Sequence, residues 1–535
     1  MRSMKLQLLL AVLGLVSQVF AANPYLPLWE FIPDGEPYVF DDPDHPGKKR
    51  VYVYGSHDSL RSEYCGRDQV VWSAPVENLK DWRFDGVIFR SMSDANGDPL
   101  GKSGVADILY APDVAEKTGP DGKKTYYLYP NATSNGRRNM VAKSDRPDGP
   151  FAVCNWDPKN PKRTVGPLGF DPAVLVDDDG RVYGYWGFRR SYAAELDPET
   201  MATLKKGAKV VENMISGEKE PGEFRFFEAS SIRKIRGKYV FIYSRFTKDG
   251  EFGLDITNYT LAYAYSDHPL GPWTYGGTVI DARARETRPD GRTVVTATPG
   301  GNTHGGICEI NGQWWVFYHR QTGTDQFSRQ AMVAPITVEV EEGPGGKVKI
   351  SEGEYTSEGF ETGGLDPFAR QAAGIACYYT GPAGAKRSSP SFVYSGPYNR
   401  PYYCDLYRQL RKQWDPRFNR CEVVHITSGS VVGYKYFNFD RTSGRKGLKL
   451  ELNLVPQGLD GAVEVWAKRP NAAEGGVKVG SFRVSADWPD SMRKVEVDVA
   501  PLAGVKGKVA LFFTFESPVR DHSICELYDF RFRAE

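Results

Sequence analysis

This chain of 535 residues is poor in cysteine, carries almost no net charge and has no apolar run long enough to cross a bilayer. Seven cysteines over such a length cannot form the disulfide scaffold of a small secreted domain. Their odd number leaves at least one unpaired, and Cys404 with Cys421 is no more than a candidate bridge. Lys plus Arg number 68 and Asp plus Glu 67, for a net charge of +1, which argues against an electrostatic grip on nucleic acid or on an anionic membrane. The stretch Leu8 to Val16 is too short for a transmembrane helix. Lying between Arg2 and Lys5 on one side and Val19-Phe20-Ala21 on the other, it has the layout of a secretory signal. Residues 1–21 are therefore expected to be removed and the protein exported, beginning at Ala22 or Asn23. A helical period is also missing between residue 23 and about residue 340.

What fills that region is aromatic strand. The chain holds 30 Tyr, 28 Phe and 11 Trp, a supply suited to half-buried strands and to stacking on the flat apolar faces of sugar rings. Five times, one acidic or imidazole side chain stands ten to twenty residues upstream of an aromatic run. Asp34 precedes Val51-Tyr52-Val53-Tyr54-Gly55-Ser56, and Asp113 precedes Tyr126-Tyr127-Leu128-Tyr129. Asp171 precedes Val182-Tyr183-Gly184-Tyr185-Trp186, Glu228 precedes Tyr239 to Ser244, and His304 precedes Trp314 to His319. Turn signals separate the two strands of each pair, plainest in Asp177-Asp178-Asp179-Gly180, Arg236-Gly237-Lys238 and Asn311-Gly312-Gln313. A hairpin repeated five times, each with a titratable group at the start of its first strand, predicts a five-bladed β-propeller that points those groups at one central site. The intervals Asp113–Asp171 and Asp171–Glu228 suit one four-stranded blade each; the longer intervals on either side require inserted loops.

The Glu- and Gly-rich run Val340 to Gly346 ends the repeats. Alternating strands at Val431–Phe439, Leu448–Leu452, Ala462–Trp466, Lys494–Asp498 and Val509–Phe515 then predict a β-sandwich. The expected organisation is all-β: a signal at 1–21, a propeller at 23–345, a linker at 346–369 and a sandwich at 370–535. The stretch from Gly381 to Asn419 carries no readable pattern. Asn131 and Asn258 fit the glycosylation motif, which matters only in a eukaryotic host.

Two carboxyl groups facing each other across a sugar are what glycosidic hydrolysis requires, one to protonate the departing oxygen and one to activate water or attack. A third carboxylate beside the acid raises its pKa by like-charge repulsion. Asp34, Asp171 and Glu228 supply such a set from three blades. Taken in order, Asn23-Pro24, Pro33-Asp34, Ala111-Pro112-Asp113, Phe170-Asp171-Pro172 with Asp179-Gly180, Phe227-Glu228-Ala229 and Asn302-Thr303-His304-Gly305 resemble glycoside hydrolase family 43 over residues 23–340. That resemblance implies a five-bladed propeller that hydrolyses glycosidic bonds with inversion. It places the general base on Asp34, the residue tuning the acid on Asp171 and the general acid on Glu228. It also places on His304 the central histidine near a bound water or calcium ion. No cofactor is required, and the only metal it brings into view is a structural calcium ion met by His304 through water. Asp113 and His304 are the expected substrate-binding residues. The C-terminal strands, with Val432-Gly433-Tyr434 and Leu527 to Phe532, resemble family 6 carbohydrate-binding modules, and Trp466, Trp488 and Tyr528 are the candidate sugar-stacking residues.

Each site residue also has a structural alternative. Asp34 and Asp171 can be turn or strand-start residues, Asp113 a structural carboxylate and His304 a bonded core histidine. Glu228 can be the partner of Arg225, while Asp177 to Asp179 read as a solvated turn. Glu30 and Glu36 compete with Asp34 for the base. An exported enzyme trimming terminal pentose or furanose sugars from a polysaccharide is the leading expectation, α-L-arabinofuranosidase first and β-xylosidase or galactofuranosidase next. A non-catalytic sugar-binding propeller is the reading from another class. No Asn-Asp-Pro-Asn motif points to a fructosidase, and no Ser-x-Asp-x-Gly-x-Thr-Trp box to a sialidase.

Overall fold

The computed structural model describes residues 22–60, 63–297, 301–322, 326–381, 394–396 and 422–535. The expected signal at 1–21, Cys404 and Cys421, and most of the unassigned stretch after Gly381 lie outside the described residues.

The first four-stranded sheet is β1 (Glu36–Asp41), β2 (Lys49–Tyr54), β3 (Gln69–Pro75) and β4 (Arg83–Phe89). The second is β5 (Asp113–Thr118), β6 (Lys124–Tyr129), β7 (Ala142–Ser144) and β8 (Ala152–Val153). A side hairpin, β9 (Trp156–Asp157) with β10 (Asn160–Thr164), leads to the third sheet: β11 (Ala173–Val176), β12 (Val182–Gly187), β13 (Ser191–Leu196) and β14 (Val211–Glu212). The fourth is β15 (Phe226–Ile235), β16 (Lys238–Arg245), β17 (Thr260–Ser266) and β18 (Thr274–Asp281). A second side hairpin, β19 (Arg285–Thr287) with β20 (Thr293–Val295), occupies the long interval before His304. The fifth sheet has three strands, β21 (Ile307–Ile310), β22 (Gln313–Gln321) and β23 (Arg329–Ile336). The N-terminal segment runs beside β23: the Tyr25 amide donates to the Ala331 carbonyl, and the Asn23 side chain bonds both backbone groups of Val333.

These are the five blades of a β-propeller, and their aromatic strands explain why they stack. A blade's second strand is buried on both faces, and its side chains alternate between two neighbours. In β2, Val51 and Val53 join the core shared with blade five, while Tyr52 and Tyr54 join the core shared with blade two. In β16, Val240 and Ile242 face blade five while Tyr239, Phe241 and Tyr243 face blade three. The hairpin turns supply the required twist: Arg236-Gly237 and Asn311-Gly312 all have positive φ, as a two-residue turn of right-handed twist demands. At the end of β11, the expected solvated turn is partly so. Asp178 and Asp179 are exposed, but Asp177 is buried and accepts from Tyr239 and Lys234.

After β24 (Val338–Val340) and β25 (Val348–Ile350), which pair with each other, come β26 (Gln371–Ala372), β27 (Tyr378–Thr380), β28 (Tyr394–Gly396), β29 (Glu422–Ile426) and β30 (Val431–Asn438). They are followed by β31 (Lys449–Pro456), β32 (Gly461–Ala467), β33 (Val477–Val484), β34 (Arg493–Asp498), β35 (Lys508–Glu516) and β36 (Cys525–Arg533). One sheet has the order β28-β29-β36-β31-β34, with β26 on β36; the other is β27-β30-β35-β32-β33. Leu450, Leu452 and Leu454 from the first and Leu511, Phe513 and Phe515 from the second meet in one core. The opposite face of the second sheet carries Tyr378, Phe512 and Trp466. It is tied to the propeller, where Arg288 bonds the Tyr378 hydroxyl and Lys435 donates to Glu286 at 2.8 Å.

Residues 346–369, expected as a linker, are packed rather than strung between domains. The Gly353 amide donates to the Val279 carbonyl, and the Asn23 amide donates to the Ser357 carbonyl. The buried Arg320 of β22 donates to the carbonyls of Gly374 and Ala376, and the Tyr379 amide donates to Thr296. Trp466 and Tyr528 lie on different sheets and Trp488 in the turn after β33, so the three candidate stacking residues do not share a surface. All five described cysteines are free thiols, and no described helix is long and apolar enough to cross a membrane.

Candidate active site

The first strands of the blades place the marked residues. Asp34 and Asp171 each stand two residues before β1 and β11, His304 three before β21, and Glu228 is the third residue of β15. Asp34 (φ 60) and Asp171 (φ 47) adopt left-handed backbone, a strained conformation for residues with a Cβ. The Glu228 strand is distorted in another way. The pairing of β15 with β16 slips on both sides of Glu228, and Ala229 has φ 70, so a bulge re-aims the carboxyl out of the ladder. Asp34, Asp171, Glu228 and His304 all line one cavity of about 310 Å³, with Tyr64, Tyr110, Phe170, Phe188, Phe227, Asn302 and Arg329 among its walls.

Within it the three carboxyls are held in different states. Asp34 accepts from Ser56 Oγ at 2.5 Å and from Arg329 Nη1 at 3.1 Å. The remaining guanidinium donors of Arg329 grip Asp58 in a fork, Nε at 3.0 Å and Nη2 at 2.8 Å. His319 Nδ1 lies 3.2 Å from the Asp34 amide and 3.3 Å from its carboxyl, and His319 Nε2 lies 3.0 Å from the Asn302 carbonyl. Burial pushes the Asp34 carboxyl up, but Arg329 and then His319 outweigh it and hold the group far below the usual carboxylate range. Glu228 goes the other way. Burial, then the negative charge of Asp34, push it up to about 8, against weaker opposing pulls from Arg329, Asn302 and Arg189. Asp171 is raised by burial and by the charges of Glu228 and Asp34, so Asp171 and Glu228 titrate as a pair. Its oxygens accept from Asn131 Nδ2 at 2.9 Å and from the Ala229 amide at 3.1 Å. His304, with Nδ1 3.6 Å from Asp171 and 4.0 Å from Asp34, is pushed by burial down to about 4 and is neutral near pH 7.

The competing carboxylates are elsewhere. Glu30 accepts from Trp72 Nε1 and the Phe31 amide, both at 2.9 Å. Glu36 is bound by Ser231 Oγ at 2.9 Å and Arg233 Nη2 at 2.6 Å, and neither lines the cavity. Asp113, expected to bind substrate, does not line it either. Its carboxyl accepts from the Tyr38 hydroxyl and the Val174 amide, both at 2.6 Å, and so ties the first strands of three blades together. Arg225, the sequence neighbour offered as a partner for Glu228, donates instead to the Phe246 carbonyl. Asn131, matched to a glycosylation motif, is buried with its amide on Asp171 and has no room for a glycan.

Arg329, His319, Ser56, Asn131 and Asn302 went unassigned on sequence. A signal existed for two of them: Ser56 and His319 are polar residues following the apolar and aromatic runs of the second strands. Calcium is bound by six to eight oxygen ligands. Among the described residues no three His, Cys, Asp or Glu side chains are grouped to hold an ion, so the residues around His304 do not form a calcium cage by themselves.

The model of the glycosyl hydrolases family 43 matches residues 48–343. The chain belongs to family 43 of the glycosyl hydrolases. This family-43 enzyme is therefore a glycosidase, hydrolysing O-glycosyl bonds with inversion at the anomeric carbon. It is 37% identical over 374 residues to a xylosidase/arabinosidase of Thermoclostridium stercorarium, covering 66% of this chain and 71% of that one. It is 28% identical over 320 residues to an arabinoxylan arabinofuranohydrolase of Paenibacillus polymyxa, covering 58% and 46%. Among solved structures, a family-43 arabinoxylan arabinofuranohydrolase of Bacillus subtilis, in complex with cellotetraose, aligns over 96% of this chain and 97% of its own, with a TM-score of 0.45 at 21% identity.

Proposed function

We propose that this enzyme is an α-L-arabinofuranosidase that removes terminal arabinose from a polysaccharide. The carrying observation is one small cavity in which Asp34 is kept ionised while Glu228 is kept protonated up to about pH 8. Two titratable groups whose environments push their pKa values apart are the mark of a base and an acid. Asp34 takes a proton from a water on one side of the sugar. The water oxygen attacks the anomeric carbon, and Glu228 gives its proton to the departing glycosidic oxygen. Asp171 orients the acid through the Ala229 amide and shares its proton equilibrium. Neutral His304 is placed to hydrogen-bond a sugar hydroxyl.

The modest cavity volume suits a single terminal sugar better than a stretch of chain. β-Xylosidase activity is the second reading, favoured by the double name of the Thermoclostridium stercorarium relative. The composition of residues 1–21 supports export, and a polysaccharide outside the cytoplasm as the substrate. Nitrophenyl α-L-arabinofuranoside, β-D-xyloside and β-D-galactofuranoside are the direct test. The highest kcat/KM is expected on the arabinofuranoside. A preference for the xyloside would install the second reading, and hydrolysis of none of them would overturn both.

A further inference from the structure

Of the seven exposed large apolar side chains among the described residues, Phe188 is the most exposed, at 49%, and the only aromatic one. It is also a wall of the cavity that holds Glu228. Its position is built. Phe188 lies in the tip joining β12 to β13, and that tip is pinned at two points. The Gly187 amide donates to the Phe170 carbonyl at 2.8 Å and the Arg189 amide donates to the Phe227 carbonyl, so the pins sit on the residues preceding Asp171 and Glu228. A side chain at Gly187, where φ is 150, would collide with the Arg190 carbonyl, so the tight tip depends on that glycine. The Phe188 ring meets Phe170 edge-on, with centroids 5.4 Å apart, and Phe227 at a tilt, with centroids 5.2 Å apart. The Arg189 guanidinium stands 5.6 Å from the centre of the Phe188 ring and 5.8 Å from that of Phe227. Among the described residues, this firmly held aromatic ring on the cavity wall is left half exposed.

We infer that Phe188, backed by Phe170, Phe227 and Arg189, is the platform for the sugar unit on the leaving-group side of the scissile bond. The inference rests on the roles proposed for Asp34 and Glu228. Glu228 protonates the oxygen that departs, so the departing saccharide must lie on its side of the cavity. Phe188 is pinned through the backbone to the residue before Glu228, whereas Asp34 sits against Arg329 and His319 from other blades. A pyranose ring presents an apolar face of C–H groups that a flat aromatic side chain covers well, and the guanidinium beside it offers donors to the ring hydroxyls. Phe188 is thus a specificity-determining residue: it selects what the terminal sugar is attached to.

The test compares two substrates that share the cleaved sugar but not the leaving group: arabinose-substituted xylo-oligosaccharide, and α-L-arabinofuranosyl fluoride, whose leaving group is a single atom. Phe188→Ala is expected to lower the ratio of kcat/KM for the oligosaccharide over that for the fluoride by roughly tenfold or more. Phe188→Tyr, which keeps the ring, should restore most of it. An unchanged ratio in Phe188→Ala, whether both activities persist or both fall together, would overturn the platform. Failure of the unmutated enzyme on the fluoride would instead defeat the arabinofuranosidase reading, and this inference with it. The two failures are read from different proteins and cannot be confused.

Discussion

Replacing Asp171 by Asn should move the alkaline limb of the pH–rate profile downward. Asp171 Oδ2 accepts from the amide of Ala229, the residue next to Glu228, and both carboxyls line the same cavity. The substitution should not disturb packing. The one contact it threatens is with Asn131 Nδ2, and Asn131 Oδ1 is a buried acceptor with no hydrogen-bond partner, so rotating that amide lets it receive the new donor. What changes is charge. At an effective dielectric of about 20, two unit charges about 4 Å apart repel by about 4 kcal/mol and by proportionally less when farther apart, and about 1.36 kcal/mol corresponds to one pKa unit. Removing that repulsion favours ionised Glu228. Asp171 and Glu228 titrate as a pair, so without the Asp171 charge the last proton they share should be lost roughly one unit or more lower in pH. Burial and the Asp34 charge remain, so the limb should stay above the value of a free glutamate. The assay is kcat/KM against pH on an unactivated arabinoside, since a good leaving group does not need the acid. An alkaline limb identical to that of the unmutated enzyme would show that Asp171 only positions its neighbours.

Asp34→Asn and Glu228→Gln should each cost about 10²–10⁴ in kcat on such a substrate, while circular dichroism stays unchanged. Glu228→Gln should retain far more activity on a dinitrophenyl glycoside, and equal losses on both substrates would remove Glu228 from the acid role. Ending the chain at residue 369 should yield insoluble or strongly destabilised protein. It strips the buried Arg320 of the Gly374 and Ala376 carbonyls, each such bond to a charged group being worth roughly 1.5–3 kcal/mol. A soluble truncated enzyme with unchanged Tm and activity would refute that coupling.

The repeating hairpins were legible because a strand buried on both faces must be apolar on both, and Val51-Tyr52-Val53-Tyr54 says so without any neighbour in view. Turn residues were equally plain, since Arg236-Gly237 and Asn311-Gly312 satisfy a local backbone demand. Asp34, Asp171, Glu228 and His304 were legible as a set because first strands ring the axis, and a titratable group at the start of each has one place to point. Asp113 shows the limit of that rule. It obeys the same pattern, yet its side chain is taken up by Tyr38 and Val174 from neighbouring blades, contacts that arise only when the blades are assembled.

The same holds for the ionisation of the site. Nothing near Asp34 in the chain lowers its pKa; Arg329 and His319 do, from almost three hundred residues away. Composition and alternation determined strands, turns and an all-β architecture because these depend on neighbours one to four residues apart. Tertiary structure alone decided which of Glu30, Asp34 and Glu36 reaches the cavity, that Phe188 stands at its mouth, and that the sheet carrying Trp466 faces the propeller. Each of these is set by side chains brought together from distant segments, and the free energy of burying a charge or a ring depends on what those segments place around it.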